Sequence, residues 1–220
     1  MEDINKIKQE IVLYSKRMYE GKYIVGTEGN LSVKLSNGNF AITPSGLNKG
    51  FISEDDIVIC DRNGNKIEGN HQPSSEYRLH LTVYNNRKDI YAICHGHPPF
   101  STAFACAGKP LNKALLPEIL LTLGAVPLVD YATPGSEKLS EYLKVYLDRY
   151  DAFLLESHGL LTLGKSLDEA FNRLEMVERY ANILHNTEQI GGGKLLSKQE
   201  TEQLLKLSGR ESILDEIEHS

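Results

Sequence analysis

Apolar positions recur three and four apart through Ile4, Ile7, Ile11, Tyr14 and Met18, which predicts an amphipathic helix ending near Gly21. Beyond it the pattern shortens to that of strands. Residues 31–35 lead through Asn37-Gly38 to Phe40-Ala41-Ile42-Thr43, and Ile57-Val58-Ile59-Cys60 leads through Asn63-Gly64 to Lys66-Ile67, so two hairpins are expected. Pro73-Ser74-Ser75-Glu76 opens a helix in which Tyr77, Leu81 and Tyr84 form one apolar line. Residues 89–94 read as a buried strand that Pro98-Pro99 stops, because proline lacks the N–H a ladder needs. A short helix over 100–107 is expected next, then an apolar segment over 115–123 interrupted by Pro117, and a helix capped by Ser136 that carries Leu139, Leu143 and Tyr146. Ala152-Phe153-Leu154-Leu155 is another apolar strand. Ser166-Leu167-Asp168-Glu169 and Ser197-Lys198-Gln199-Glu200 have the spacing of capping boxes. The first opens a long helix with Ala170, Leu174, Val177, Ala181 and Leu184 on one face, and Gly191-Gly192-Gly193 separates the two.

No repeat, linker or low-complexity stretch divides the chain, so residues 1–220 are expected to form a single domain. The hairpins put antiparallel strands in the sheet, and helices between distant strands must cover its faces. The expected fold is α/β, a three-layer helix–sheet–helix arrangement with a mainly antiparallel central sheet covered by helices on both faces. Hydrophobic residues at 40% and charged residues at 25% argue against disorder. With 24 Lys and Arg against 30 Asp and Glu, a net charge of −6 and no basic run, nucleic acid and anionic membrane are poor partners. The charged start, Met1-Glu2-Asp3-Ile4-Asn5-Lys6, has no apolar leader, and no stretch approaches the roughly 20 apolar residues of a membrane span. Cys60, Cys94 and Cys106 form no Cys-x-x-Cys pair, which fits a reducing cytoplasm.

Chemistry concentrates at Cys94-His95-Gly96-His97-Pro98-Pro99. Side chains two apart on a strand share a face, so His95 and His97 project together at a strand end, while Cys94 points the other way and packs. Ser157-His158-Gly159 ends the Ala152 strand in a comparable position and is a candidate third imidazole. Three neutral imidazoles with one open position describe a catalytic zinc site; Mn2+ or Co2+ could take the same place. Glu76 is a candidate carboxylate beside them, and His80, one turn later, either joins as a ligand or packs behind. Gly26-Thr27-Glu28-Gly29-Asn30-Leu31-Ser32 and Thr43-Pro44-Ser45-Gly46 are turns rich in glycine and hydroxyl, and Ser74 and Ser75 lie in the N-cap region of their helix. Each can offer N–H and hydroxyl groups to an anion, yet none is a phosphate-loop or dinucleotide fingerprint. Read singly, His158 is also an ordinary core or surface histidine, each turn merely a turn, and Glu76 compensation of a helix dipole.

A metal with a phosphate cradle beside it suits a small phosphorylated sugar or ketone. A divalent ion on the oxygens of an α-hydroxy ketone stabilises an enediolate by several kcal/mol, and a neighbouring carboxylate can remove the α-proton.

From the Gly26–Ser32 turn through Thr43-Pro44-Ser45-Gly46, Pro73-Ser74-Ser75-Glu76, His95-Gly96-His97 and Tyr131-Ala132-Thr133-Pro134-Gly135-Ser136 to Ser157-His158-Gly159, the chain resembles the class II aldolase/adducin family. The likeness is strongest to its L-fuculose-1-phosphate aldolase branch. It implies that His95, His97 and His158 bind zinc with Glu76 as the fourth resting ligand, which leaves the metal to act as acid and base when substrate arrives. It implies that Gly29, Asn30, Ser45, Gly46, Ser74 and Ser75 hold the phosphate and polar groups of dihydroxyacetone phosphate, and that the protein is a homotetramer with active sites at subunit interfaces. The branch also uses a tyrosine roughly where this chain has Leu115-Leu116-Pro117, and another in a C-terminal tail that here has none after Tyr180. The aldehyde half of the site therefore differs, and deoxy-sugar phosphates such as a 5-deoxy-pentulose 1-phosphate join L-fuculose 1-phosphate as expected substrates. Sister activities of the family are L-ribulose-5-phosphate 4-epimerase, methylthioribulose-phosphate dehydratase and sugar-acid-phosphate decarboxylase. An adducin-like binding module keeps the fold without catalysis, and the presence of all three histidines with Glu76 argues against it.

Overall fold

Asp3 opens the first helix by accepting the N–H groups of Asn5 and Lys6 at 3.1 and 3.3 Å, and α1 (Ile4–Glu20) runs from there to Gly21. The computed structural model describes residues 3–219; Met1, Glu2 and Ser220, at the two ends of the expected 1–220 domain, lie outside the described residues. The Asn-Gly hairpins form as the pattern predicts, pairing β1 (Asn30–Lys34) with β2 (Phe40–Ile42) and β3 (Val58–Cys60) with β4 (Lys66–Glu68). On its other edge β1 pairs with β5 (Ala92–Gly96). β7 (Ala152–Leu155) and β8 (Gly159–Gly164) make a third hairpin whose second strand lies against β5, and β6 (Leu128–Val129) closes the sheet beside β7. The order is β4-β3-β2-β1-β5-β8-β7-β6, antiparallel at every neighbouring pair except β6 and β7.

Alternation along the strands divides the core in two. Ala92 and Cys94 of β5 join Leu154, Leu160, Ile11, Met18 and Ala105 under α1, α3 (Pro99–Cys106) and α6 (Leu167–Gln189). Ile93 joins Phe153, Leu161 and Leu163 under α2 (Tyr77–Asn86), α5 (Glu137–Lys144) and α7 (Lys198–Ser208). Helices thus cover both faces, as the hairpin and helix pattern implies. Among the described residues no helix is long and apolar enough to cross a membrane.

Four local readings change. Residues 159–164, unassigned by periodicity, form β8; Leu160, Leu161 and Leu163 are all buried because both faces of this strand are covered, so no alternation shows. Pro117 starts a helix, α4 (Pro117–Thr122), at a position where a missing N–H costs nothing. The face that α2 buries is Leu79, His80, Val83 and Tyr84, with Tyr77 and Leu81 half-buried at its margin. The box at Ser166 is half made, since Ser166 accepts the Glu169 N–H while the Glu169 carboxylate accepts from Lys165; the box at Ser197 and Glu200 is complete.

At the start of β7 the carboxylate of Asp151, 7% exposed, binds three arginines: Arg87 at 2.9 Å, Arg210 at 2.9 Å and Arg173 at 3.3 Å. These come from the end of α2, from beyond α7 and from α6, so one buried charge ties three helices to the sheet. Burial raises the Asp151 pKa, but the guanidinium groups outweigh it and hold the carboxyl below its usual range. Asp151→Ala is expected to lower stability by about 3–5 kcal/mol in urea unfolding. Because the folded carboxyl titrates below the unfolded one, the wild-type advantage is complete above the unfolded value and fades as pH falls through the folded value.

Candidate metal centre

His95 projects from β5 toward the α2 side of the sheet, opposite Asn30 across the β1 ladder and Leu161 across the β8 ladder. His97 follows Gly96, its N–H bonded to the Tyr23 carbonyl at 2.8 Å. His158 sits in the turn between β7 and β8, after Ser157, whose φ of 55° is left-handed backbone that a non-glycine residue adopts only at a cost of about 1–3 kcal/mol. At Gly159 a Cβ would stand 2.5 Å from both the Gly96 carbonyl oxygen and His97 Cδ2, so this position must lack one for the hairpin to pack against the histidine pair.

The three ring centroids lie 4.7 to 5.1 Å apart, and one nitrogen from each ring falls within 4.8 Å of the others. Glu76 completes the cluster, with Oε2 3.2 Å from His95 Nε2 and Oε1 3.5 Å from His158 Nε2. Nδ1 of His95 donates to the Leu160 carbonyl at 3.0 Å, and Nδ1 of His97 donates to Glu28 Oε2 at 2.9 Å. In the neutral rings both Nε2 atoms then carry lone pairs, and these face each other at 3.3 Å. Only a positive charge relieves that arrangement. Two nitrogens on a tetrahedral zinc, each about 2.0–2.1 Å from the ion, lie about 3.3 Å apart, so the pair fits such an ion. The buried Glu76 Oε1 and His158 Nδ1 have no hydrogen-bond partner, and Oε1 faces the same cluster.

Behind Glu76 runs a chain of buried hydrogen bonds. Asn30 Nδ2 donates to Glu76 Oε2 at 2.8 Å, and Asn30 Oδ1 accepts from His80 Nε2 at 2.6 Å. His80 Nδ1 must then accept from Ser32 Oγ at 2.6 Å, and Ser32 Oγ from the Tyr84 hydroxyl at 2.6 Å. Every donor points toward the carboxylate. His80 therefore packs behind the site and orients it; burial and the nearby His95 cation push its pKa down to about 3.

Burial opposes the charge on Glu76, but His95, His158 and Asn30 outweigh it and hold the carboxyl far below its usual range. Burial likewise opposes the charge on His95, and Glu76 outweighs it, so the His95 pKa is raised. Burial and the His95 cation push His158 down to about 3 and lower His97, leaving both in the neutral form that binds metals.

The three turns meet beside this cluster. The Thr43 N–H donates to the Leu31 carbonyl and the Thr43 carbonyl accepts the Ser74 N–H, and an isolated bridge joins Pro44 to Pro73. Gly29 and Gly46 have φ of 70° and 75°, and Ser45, Gly46 and Ser75 are exposed there. Ser74 is buried and accepts the Glu76 N–H at 3.3 Å; the N-cap itself is Glu76, so both serines precede it. The Asn30 side chain is committed to Glu76 and His80. Two residues that the sequence reading passed over belong here. Glu28 joins the first turn to the histidines, accepting the Val25 N–H at 2.8 Å and His97 at 2.9 Å. Lys49 is buried, its Nζ donating to the Thr27 carbonyl at 2.6 Å. Charged residues in turns read as solvated, so the sequence alone does not single them out.

The chain is similar over most of its length to known proteins. The family model described as "Class II Aldolase and Adducin N-terminal domain" matches residues 9–185. An L-fuculose phosphate aldolase of Methanococcus maripaludis is 38% identical over 174 residues, 79% of this chain and 93% of that protein. A 5-deoxy-D-ribulose 1-phosphate aldolase of Bacillus thuringiensis is 36% identical over 205 residues, 92% of this chain and 95% of that one. Among solved structures, an L-fuculose 1-phosphate aldolase superposes with a TM-score of 0.85 at 37% identity, covering 91% of this chain and 95% of that chain.

A carboxylate behind a ligating histidine fixes its tautomer, and its loss weakens metal binding about 10–100-fold. Glu28→Ala is expected to weaken divalent-metal binding by that factor in competition with a chromophoric chelator. His97→Ala should weaken it more, because it removes the nitrogen itself.

Proposed function

The chain belongs to the class II aldolase and adducin family, and from that premise we propose that it is a zinc-dependent aldolase. On this reading it reversibly cleaves a deoxy-ketose 1-phosphate, L-fuculose 1-phosphate or a 5-deoxy-pentulose 1-phosphate, to dihydroxyacetone phosphate and an aldehyde. The observation that carries the reading is Glu76, a carboxylate 6% exposed with one oxygen held by Asn30 and the other unpartnered toward His158.

His95, His97, His158 and Glu76 are the residues to hold the ion. Bound there, a divalent metal supplies Lewis acidity that polarises a carbonyl oxygen, worth several kcal/mol. The chain's own groups supply the rest. Glu76 Oε1 takes the proton from the hydroxymethyl carbon next to the carbonyl while Asn30 keeps Oε2 in place; the freed electron pair forms the bond to the aldehyde carbon, and the aldehyde oxygen takes up a proton. Cleavage is the reverse, with Glu76 returning the proton. Gly29, Ser45, Gly46, Ser74 and Ser75 surround the phosphate, and Asn30 acts through Glu76.

Two relatives named for different deoxy-ketose phosphates support keeping both substrates in the reading. The same likeness supports a single-domain cytoplasmic homotetramer with active sites at subunit interfaces.

Purified protein given dihydroxyacetone phosphate and, separately, L-lactaldehyde, acetaldehyde or glycolaldehyde is expected to form a ketose phosphate, to lose that activity to a chelator and to regain it with zinc. The preferred aldehyde names the sugar. Glu76→Gln should yield a folded, metal-bound protein with turnover lowered about 100- to 10,000-fold. Absence of condensation in zinc-loaded wild-type protein would point to the epimerase, dehydratase or decarboxylase activities of the family.

A further inference from the structure

The turns at 26–32, 43–46 and 73–76 carry two charged side chains, Glu28 and Glu76, and both are negative. A phosphate dianion laid on their N–H and hydroxyl groups would meet repulsion from both carboxylates. Lys49 stands three residues beyond Gly46 and is 2% exposed. Lysine is almost never buried to this extent without a paired charge. Here, among the described residues, the ammonium makes one hydrogen bond, to the Thr27 carbonyl at 2.6 Å, and no ion pair. An ammonium has three N–H donors, so two remain. Burial lowers the Lys49 pKa, while the charge of Glu76, across the meeting point of the turns, raises it. The lysine therefore follows the second turn, is anchored to the first, and feels the carboxylate of the third.

We propose that Lys49 supplies the positive charge that binds the substrate's phosphate, its ammonium held by the Thr27 carbonyl and giving its remaining N–H donors to the phosphate at the junction of the three turns. The proposal rests on the phosphoketose reading above and adds the charge that the glycine and hydroxyl groups lack. A buried cation at this point also makes the cradle select a phosphorylated substrate over its unphosphorylated counterpart, because an occupant without negative charge leaves the ammonium uncompensated.

The test compares metal-loaded wild type with Lys49→Gln, which keeps a donor near Thr27 but no charge, and Lys49→Arg, which keeps the charge. Binding of inorganic phosphate and of dihydroxyacetone phosphate is measured by calorimetry at fixed ionic strength, with metal affinity and thermal unfolding recorded for each protein. In Lys49→Gln both ligands are expected to bind about 10- to 100-fold more weakly, the loss in condensation to fall mainly on KM, and metal affinity to stay at the wild-type value. Lys49→Arg should recover most of the phosphate binding. Phosphate binding in Lys49→Gln equal to wild type overturns the proposal while leaving the phosphoketose reading intact. So does a loss of metal affinity without a loss of phosphate binding, which would make Lys49 a counter-charge for Glu76. Wild type that binds neither ligand overturns the phosphoketose reading itself. Should the variants fail to fold, the 13Cε resonance of Lys49 in wild-type protein decides: it shifts when inorganic phosphate is added if the ammonium meets the anion, and a resonance that stays in place overturns the proposal.

Discussion

A carboxylate buried among imidazoles constrains the rest of this molecule. Glu76 sits at the mouth of a helix with almost no exposure, in surroundings where an unpaired charge would be prohibitive. Its charge is tolerable because His95 and His158 face it on one side and a relay of donors from Tyr84 through Ser32, His80 and Asn30 backs it on the other. That relay spans β1 and α2, and the imidazoles come from β5 and the β7–β8 turn. The register of the central strands is thereby coupled to the chemistry: a slip of β1 by one residue would turn Asn30 and Ser32 to the face opposite His95.

The site has two halves joined by short connections. The histidines and Glu76 form one; the glycine and hydroxyl turns form the other, with Lys49 beneath them. Glu28 links the two, since one of its oxygens holds the backbone of the first turn and the other holds His97. A ligand that orders the turn therefore acts on the orientation of the His97 ring. Stability and chemistry occupy opposite ends of β7, which begins beside Asp151 and its three arginines and ends at the turn that presents His158. The strand that carries the third imidazole outward is thus anchored, at its far end, to helices on both faces of the sheet.

Much of this was legible without coordinates, and unevenly so. His95 and His97 could be read as neighbours because a strand places side chains two apart on one face and Pro98-Pro99 ends it. The Asn-Gly hairpins and the helix caps at Ser136 and Ser197 were legible for the same reason: the backbone conformation they require is dictated within a few residues. β8 was not, because a strand covered on both faces loses its alternation. Nor was the buried face of α2, where His80 counts as polar by composition yet is wholly buried once Asn30 and Ser32 satisfy both its nitrogens.

By itself the sequence determined the local elements, the histidine pair and the turn chemistry, since these depend on steric preferences and periodicities that act over a few residues. Tertiary structure alone decided that His158 meets that pair, that Asn30 serves Glu76, and that Glu28 and Lys49 lie at the site. Those outcomes follow from pairing β8 against β5 and from seating α2 on β1, contacts between segments far apart in the chain. Their partners are selected by burial and hydrogen-bond satisfaction across the whole core, which no short window of residues contains.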